Sequence, residues 1–234
     1  MKRRFIAIIL PGILVVTLGY QCKKDTITPT QQQSADTLLL TQIEKDSILK
    51  GDTNDLMRIL TIFNYDDSLN LRKESHQLKA DPGDSVLYRL ARRMYYTLKA
   101  TGSGVGLAGP QVGINRDIIW VQRLDKTGKP FECYLNAKIM LYSNKAITFN
   151  GDGCLSIPGQ SGNSHRFSSV MIEYDKLDGS HHAEIVEGWS ASSFTAVIFQ
   201  HEIDHLHGVL YIDKLAKGKL SQTPPMNNTY PYLM

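Results

Sequence analysis

The chain has 234 residues, of which 42% are hydrophobic and 21% charged. That length and balance are typical of one globular domain with extra segments at its ends. The formal net charge is +3, part of it contributed by basic residues at positions 2–4. This charge is too small to predict binding to nucleic acid, or binding to a membrane surface through a polybasic patch.

The N-terminus has the pattern of an export signal. Its basic tip is followed by an apolar run from Phe5 to Leu18, which is typical of a secretory signal peptide. The run is short for a transmembrane helix, and Pro11 followed by Gly12 would bend it. An uncleaved anchor helix extending to Tyr20 is the alternative.

A cysteine, Cys22, follows the apolar run and resembles the cleavage site of bacterial lipoproteins, where that Cys becomes the acylated first residue. Gln21 departs from the small residue that usually precedes it. We therefore predict a lipoprotein-type signal peptide at 1–21 and a membrane-anchored protein of the cell envelope, held by a lipid at Cys22. A cytoplasmic protein with an unused signal is the alternative.

Polar composition separates the signal from the predicted domain. Residues 22–54 are rich in Gln, Thr, Asp, Lys and Ser, which favours a flexible tether over part of a core. We place the folded domain at 55–216 and a loose tail at 217–234.

Within the predicted domain, one long helix is clear. Pro82 and Asp84 signal its start, and four apolar residues then recur every four positions: Val86, Leu90, Met94 and Leu98. Its basic residues, Arg89, Arg92, Arg93 and Lys99, are predicted to form the solvated face. Gly102 and Gly104 end the helix.

Strand patterns dominate the middle of the chain. Buried or alternating runs cover 118–121, 131–135, 139–142, 147–149, 170–174 and 182–187, and Asp178-Gly179 marks a hairpin turn. A last short strand is predicted at 211–213. The predicted fold class is α+β, with mostly antiparallel strands packed around a helix near the C-terminus.

That late helix carries the sequence His201-Glu202-Ile203-Asp204-His205. Residues four apart share a helix face, so both imidazoles can bind one metal ion with Glu202 beside it. Phe194, Val197 and Ile198 fall on the same stripe, which predicts that the face points into the core. Ser192 or Ser193 is the predicted N-cap, and Gly208 is placed to end the helix.

A third ligand is needed, and two families of metalloproteases fail to supply it. The metzincin pattern wants a His at position 211, where the chain has Tyr211. A thermolysin-like site needs a later Glu, and none follows Glu202.

Two earlier segments, taken with this helix, point to another family. They are Gly104-Val105-Gly106-Leu107-Ala108-Gly109-Pro110-Gln111 and Asp152-Gly153-Cys154-Leu155-Ser156. In this order the three blocks resemble the peptide deformylases, whose patterns are G-x-G-L-A-x-x-Q, E-G-C-L-S and H-E-x-D-H. The chain departs once, with Asp152 in place of Glu. Weaker similarity runs from about residue 60 to 213, and the apolar stretch 56–63 followed by 66–72 matches the family's first strand and its D-x-x-L-R segment.

The resemblance implies a set of site residues. Cys154, His201 and His205 would hold one divalent metal ion, ferrous iron in the family, with one position left open for water. Glu202 lies next to a ligand, so its carboxylate can take a proton from water and pass it to the departing amine. The family's oxyanion donors fall on the Gln111 side chain and the Leu155 backbone N–H.

Substrate contacts are predicted at the first block. Gly104, Val105 and Gly106 carry little side chain, so an extended peptide can approach and pair as an added strand. Val105, Val197 and Ile198 are the predicted lining of an apolar pocket for a methionine-like side chain. Asp152 is expected to alter the pocket rim or a hydrogen bond and to leave the ligands and the base intact. Together with the poorly matching segment 188–193, it leaves the substrate preference open but not the reaction class.

The predicted function is metal-dependent removal of the N-formyl group from N-formylmethionyl peptides. Two alternatives stay open: an exported amidase for another N-acyl peptide, and an envelope peptide-binding protein that has lost catalysis. If the protein is exported, zinc is favoured over iron, because it has no redox chemistry and prefers tetrahedral N/S sites.

Overall fold

A computed structural model describes residues 38–190 and 192–216. The predicted signal peptide, Cys22, the first part of the tether and the predicted tail lie outside the described residues. Among the residues that are described, no helix has the length and apolar character needed to cross a membrane.

The fold combines four α-helices with seven strands in the described ranges. The helices are α1 (Gln42–Leu49), α2 (Tyr65–Leu71), α3 (Ser85–Ala100) and α4 (Thr195–Leu206). The strands are β1 (Gly106–Ala108), β2 (Ile118–Gln122), β3 (Phe131–Tyr142), β4 (Ala146–Gly153), β5 (Ser161–Phe167), β6 (Ser169–Asp175) and β7 (His181–Glu187). This arrangement confirms the predicted α+β class.

All strand pairs are antiparallel and fall into two sheets. The larger has the order β1-β2-β3-β6-β7, and the smaller is the β4–β5 hairpin. Alternation along β2 shows how the larger sheet is sandwiched, since Ile118 packs with α3 residues on one face and Ile119 packs with α4 residues on the other. The helix with the predicted ligands therefore lies on one face of the sheet, as expected.

Several element boundaries differ from the predictions. The runs 131–135 and 139–142 form one strand, β3, whose pairing with β6 shifts register beside Asn136. Asn136 has a φ of 53°. Its side-chain amide accepts from the Leu78 N–H and donates to the Leu78 carbonyl, which explains why the strand continues through this irregular residue. Strand β5 was missed because its sequence is polar.

Two predicted strands are wrong. Residues 211–213 belong to a 3₁₀ turn, Tyr211–Lys214. Residues 56–63 pair with no strand in the described part of the chain. Their backbone still holds two motif segments together: the Leu60 N–H donates to the Gln111 carbonyl at 2.8 Å, and the Ile62 N–H donates to the Ser156 carbonyl at 3.1 Å.

The predicted tether is folded from residue 38 onward. Thr41 and Glu44 form a capping box at the start of α1. Leu40 and Ile48 are buried in the cluster under α3, so two apolar residues are enough to dock this polar segment. The folded unit therefore begins before residue 55.

Buried arginines hold α1 in place. Arg93, predicted to be solvated, is 7% exposed and donates to the carbonyl oxygens of Ile48 at 2.8 Å and Asp55 at 3.0 Å. Arg116 pairs with Glu44 at 2.8 Å. The polar character of residues 38–54 is thus used inside the protein, where it satisfies these guanidinium groups.

These contacts predict that α1 contributes to the stability of the domain. Ile48→Ala should lower the free energy of unfolding by roughly 2 to 5 kcal/mol, because Ile48 is fully buried and its removal leaves a cavity. Ile43→Ala, on the same helix and 82% exposed, is the matched control and should change the free energy of unfolding by less than about 0.5 kcal/mol. Equal denaturation midpoints for the two variants would show that α1 is not part of the cooperative unit.

Candidate metal centre

Helix α4 presents the two predicted histidine ligands on its buried face. His201 is 8% exposed, His205 is fully buried, and their ring centroids lie 5.1 Å apart. The helix ends where expected, since Gly208 has a φ of 65° and a Cβ at that position would meet the Arg72 carbonyl at 2.4 Å. The prediction of a serine cap is wrong: Phe194 is the N-cap and forms no side-chain cap bond.

The third predicted ligand comes to the same point from the end of β4. The Cys154 Sγ lies 3.2 Å from the His205 Nε2. The ligand atoms of Cys154, His201 and His205 all lie within 4.8 Å of one another. A tetrahedral site with bonds of about 2.2 Å has ligand atoms about 3.5 Å apart. The three side chains therefore fit one metal ion with little movement.

Charge in this cluster favours a thiolate. Burial alone raises the pKa of Cys154, but the adjacent His205 and His201 outweigh it and hold that pKa well below its usual value. Thiolate is the form of cysteine that binds metals. By contrast, burial raises the pKa of Cys133 to about 12, so that thiol stays neutral.

Glu202 lies at the bottom of the same cleft and is 4% exposed. Burial raises its pKa to about 7, and the neighbouring imidazoles only partly offset this. Its Oε2 is buried and has no hydrogen-bond partner among the described residues. A buried carboxyl that titrates near neutral pH is suited to accept and release a proton.

Gly106 is explained by this carboxyl. A Cβ at Gly106 would lie 2.2 Å from the Glu202 Oε1, so any side chain there would displace the carboxyl. At Gly104 a Cβ would meet Thr101 Oγ1 at 2.6 Å. The two glycines therefore relieve crowding within the protein itself, in addition to lining the cleft.

Gln111 lies beside the cysteine in a 3₁₀ turn after β1. Its Oε1 accepts from the Ala108 N–H at 2.8 Å, which orients the amide. Its Nε2 then points toward Cys154 Sγ at 3.5 Å and Ser156 Oγ at 3.3 Å. The amide N–H is thus presented to the space around the ligand cluster, and Leu155 lines the same cleft.

A charged network behind His201 was not predicted. Asp152 accepts from His201 Nδ1 at 2.9 Å through one oxygen, and from Arg166 at 2.8 Å and Ser164 at 2.6 Å through the other. Arg166 also donates to Asp204 at 2.6 Å. Arg166 and Ser164 lie on β5, a strand that the sequence patterns did not predict.

The cleft above these residues has a volume of about 500 Å³. The predicted lining residues Val105, Val197 and Ile198 all border it, although the latter two are also buried under the sheet. Phe149 and Phe194 border it as well, with ring centroids 5.3 Å apart. Phe149 lies on β4 and Phe194 at the start of α4, so this aromatic pair joins the two walls of the cleft.

The arrangement defines a class: a mononuclear metallohydrolase site, with one thiolate, two imidazoles and an adjacent buried carboxyl in a cleft. The family profile described as "Polypeptide deformylase" matches residues 59–221. The chain belongs to this family, which confirms the resemblance seen in the sequence. Helix α1 precedes the matched region.

Several proteins that are similar to this chain are peptide deformylases. A peptide deformylase of Desulforudis audaxviator is 33% identical over 164 residues, covering 68% of this chain and 94% of that protein. A crystal structure of the peptide deformylase of Thermotoga maritima shares 29% identity with a TM-score of 0.60, covering 70% of this chain and 99% of that one. A Met-Ala-Ser-bound deformylase from Acinetobacter baumannii shares 27% identity with a TM-score of 0.58, covering 69% and 99%.

The contact between Asp152 and His201 predicts a role in metal affinity. Asp152→Asn should weaken metal binding by ~10- to 100-fold, because a carboxylate behind a ligating imidazole orients the ring and raises its basicity. Asp152→Glu keeps the carboxylate and is the matched control. Metal competition titrations on both variants compare them, and equal affinities would exclude this role.

Proposed function

We propose that the protein is a peptide deformylase that hydrolyses the N-formyl group of N-formylmethionyl peptides. The observation that carries this proposal is the buried Glu202 carboxyl beside the Cys154, His201 and His205 cluster in an open cleft. Release of formate from a formyl-Met-Ala-Ser peptide, compared with the acetylated peptide, tests it directly.

Cys154, His201 and His205 would hold one divalent metal ion. The fit rests on three converging buried ligand atoms and on a cysteine whose pKa lies well below its usual value. When bound, such an ion supplies Lewis acidity and lowers the pKa of water in its open position.

Glu202 handles the proton in this mechanism. Its deprotonated carboxylate accepts a proton from the attacking water, and the resulting acid donates that proton to the amine nitrogen as the formamide bond breaks. Because the deprotonated form begins the cycle, the rate falls as the pH drops through the pKa of Glu202. A pKa near the working pH suits both transfers.

Gln111 and Leu155 stabilise the developing oxyanion. Its negative charge needs hydrogen-bond donors that are already oriented. The Gln111 Nε2 is fixed by the bond that its Oε1 accepts from the Ala108 N–H, and the Leu155 backbone N–H is adjacent to Cys154 in the chain.

The substrate's first side chain enters the apolar end of the cleft, next to Val105, Val197 and Ile198. Phe149 and Phe194 extend this lining. The peptide backbone then runs beside β1, which is an edge strand of the larger sheet. The Acinetobacter baumannii structure with Met-Ala-Ser bound supports a methionyl peptide as the ligand class.

Neither alternative function is supported. The relatives named above are all peptide deformylases, and a binding protein has no need of a buried carboxyl that titrates near neutrality. An amidase for other N-acyl peptides would turn over the acetylated peptide as fast as the formylated one.

The role of Glu202 gives a sharp prediction. Glu202→Ala should bind metal normally and lose at least ~10²-fold in kcat, because the Glu202 carboxyl is the proton carrier in this mechanism. Glu74→Ala, at a carboxylate that is 65% exposed and pairs with His207, is the control and should keep full activity. Near wild-type turnover by a fully metallated Glu202→Ala protein would refute the mechanism.

Location in the cell envelope, with a lipid at Cys22, is part of the proposal. Its support is the basic tip, the apolar run and the cysteine in the sequence. Cys22→Ser should abolish acylation and move the mature protein out of the membrane fraction, or leave the precursor uncleaved. An intact mass that begins at Met1 or at another unmodified residue would contradict the anchor.

The choice of metal follows from location. Outside the cytoplasm, oxidation threatens both ferrous iron and the Cys154 thiolate. We therefore expect zinc, or another divalent ion stable in air, to sustain activity for hours in air while the iron-loaded protein decays. Separate reconstitution of the apo-protein with each metal measures this. If only the iron form turns over, the inference from location to metal fails.

A further inference from the structure

Strand β7 forms the edge of the larger sheet opposite the cleft. Its pairing with β6 is bracketed by two backbone bonds, from the Lys176 N–H to the Ser180 carbonyl and from the Gly188 N–H to the Ser168 carbonyl. Because backbone groups alternate in direction along an antiparallel strand, residues 182, 184 and 186 face β6. The N–H and carbonyl groups of His181, Ala183, Ile185 and Glu187 therefore point outward from the sheet.

The outer face of this part of the sheet is apolar and uncovered in the described residues. Ile185 is 58% exposed and lies opposite Met171, which in turn pairs with Leu141 on β3. None of these three belongs to a buried cluster, and α4 packs on the opposite face. An apolar row thus leads across three strands to the free edge.

Strand β7 lacks several of the features that usually protect an edge, and of its two glutamates Glu184 is neutralised by Arg123. It contains no Pro and no Lys, and its register with β6 runs without a bulge from residue 181 to residue 187. Natural sheets use such features to prevent strands from adding to an exposed edge. A straight edge strand of seven residues with an exposed Ile is therefore suited to pair with another strand.

We propose that β7 pairs with β7 of a second copy of this chain, antiparallel and symmetric about Glu184. In this register Ala183 lies opposite Ile185 of the second copy, and His181 lies opposite Glu187. The odd-numbered residues, whose backbone N–H and carbonyl groups point outward in each copy, then lie opposite one another, so backbone hydrogen bonds can form between the two copies. The two five-stranded sheets become one continuous sheet.

Charges favour this register. His181 Nδ1 bonds Asp175 at 2.7 Å, which leaves Nε2 of the 62% exposed ring for a carboxylate. Glu187 makes no ion pair or side-chain hydrogen bond in the described part of the chain and is exposed. Symmetric pairing brings these two groups together twice.

The one like-charge pair is neutralised within each copy. Glu184 of the two copies would lie opposite each other, on the face that α4 covers. Each Glu184 carboxylate accepts from Arg123 at 2.7 and 3.0 Å and from Tyr174 at 2.9 Å. A carboxylate already paired with a buried guanidinium contributes little repulsion across the strand pair.

The dimer is independent of the proposed reaction. The cleft lies at the β1 end of the sheet, and none of its lining residues is on β7. Substitutions on β7 therefore test the interface alone, and deformylase activity serves as the check that the variants are folded.

Cysteine cross-linking tests the register. Hydrogen-bonded residue pairs in antiparallel strands have Cα atoms about 5.5 Å apart, which suits a disulfide. The double variant Ala183→Cys/Ile185→Cys should give a covalent dimer of the full-length protein on a non-reducing gel after mild oxidation. Either single variant should cross-link weakly, because in this register the two identical cysteines are diagonal neighbours across the strand pair and do not lie directly opposite each other. Lys138→Cys/Met140→Cys, exposed on an interior strand, is the control and should stay monomeric.

Sedimentation of the unmodified chain gives the second measurement. Because the pairing involves only one seven-residue strand from each copy, we expect a weak association that appears at roughly micromolar protein concentration. Ile185→Lys should abolish this association, whereas Met140→Lys, the same change on β3, should preserve it, and both should keep wild-type activity. A monomer throughout the micromolar range, or single-cysteine variants that cross-link as well as the double variant, would overturn the proposal.

Discussion

The geometry of the metal centre depends on one buried charge network. Arg166, whose side chain is 2% exposed, lies between the carboxylates of Asp152 and Asp204. A buried guanidinium must be paired, and removing one partner of such a pair costs about 3 to 5 kcal/mol. Because Asp152 precedes the cysteine ligand on β4 and Asp204 lies between the two histidine ligands on α4, the same network fixes the hairpin against the helix. The three candidate ligand side chains are thus positioned by charged groups that do not belong to the ligand cluster.

The shorter carboxylate of Asp152 fits this network because of the backbone around it. The pairing of β4 with β5 shifts register between Phe149 and Asp152, and such irregularities re-aim the side chains that follow them. Asp152 thereby reaches His201 on one side and Arg166 on the other. The shorter side chain of Asp152 therefore still reaches both His201 and Arg166.

Local sequence was enough to predict the chemistry but not its support. The spacing of His201 and His205 encodes a helix face, and a resemblance to a known family supplied Cys154. Arg166 could not be found in this way, because it lies in a polar strand, β5, whose alternation is masked by Ser, Asn and His. Its role depends on two carboxylates that are 14 and 38 residues away in the chain. Only the folded structure brings those charges together.

The folding of residues 38–54 against the domain could not be predicted from the sequence for a related reason. Composition describes an average, and residues 38–54 are polar on average. To dock on the domain, this segment needs only to bury Leu40 and Ile48 and to supply hydrogen-bond acceptors for Arg93 and Arg116. Those arginines lie 45 and 72 residues further along the chain than their partners.

The two edges of the larger sheet explain why chemistry and association can be separate. Strand β1 has three residues, and Gly106 within it has no space for a side chain because of Glu202. That edge is short and borders the cleft, and the proposed peptide substrate would pair with it. Strand β7 has seven residues, no contact with the cleft and an exposed apolar face. An unpaired edge strand can accept another strand. Because the two edges differ in length and surroundings, we expect an extended peptide at β1 and a second copy of the chain at β7.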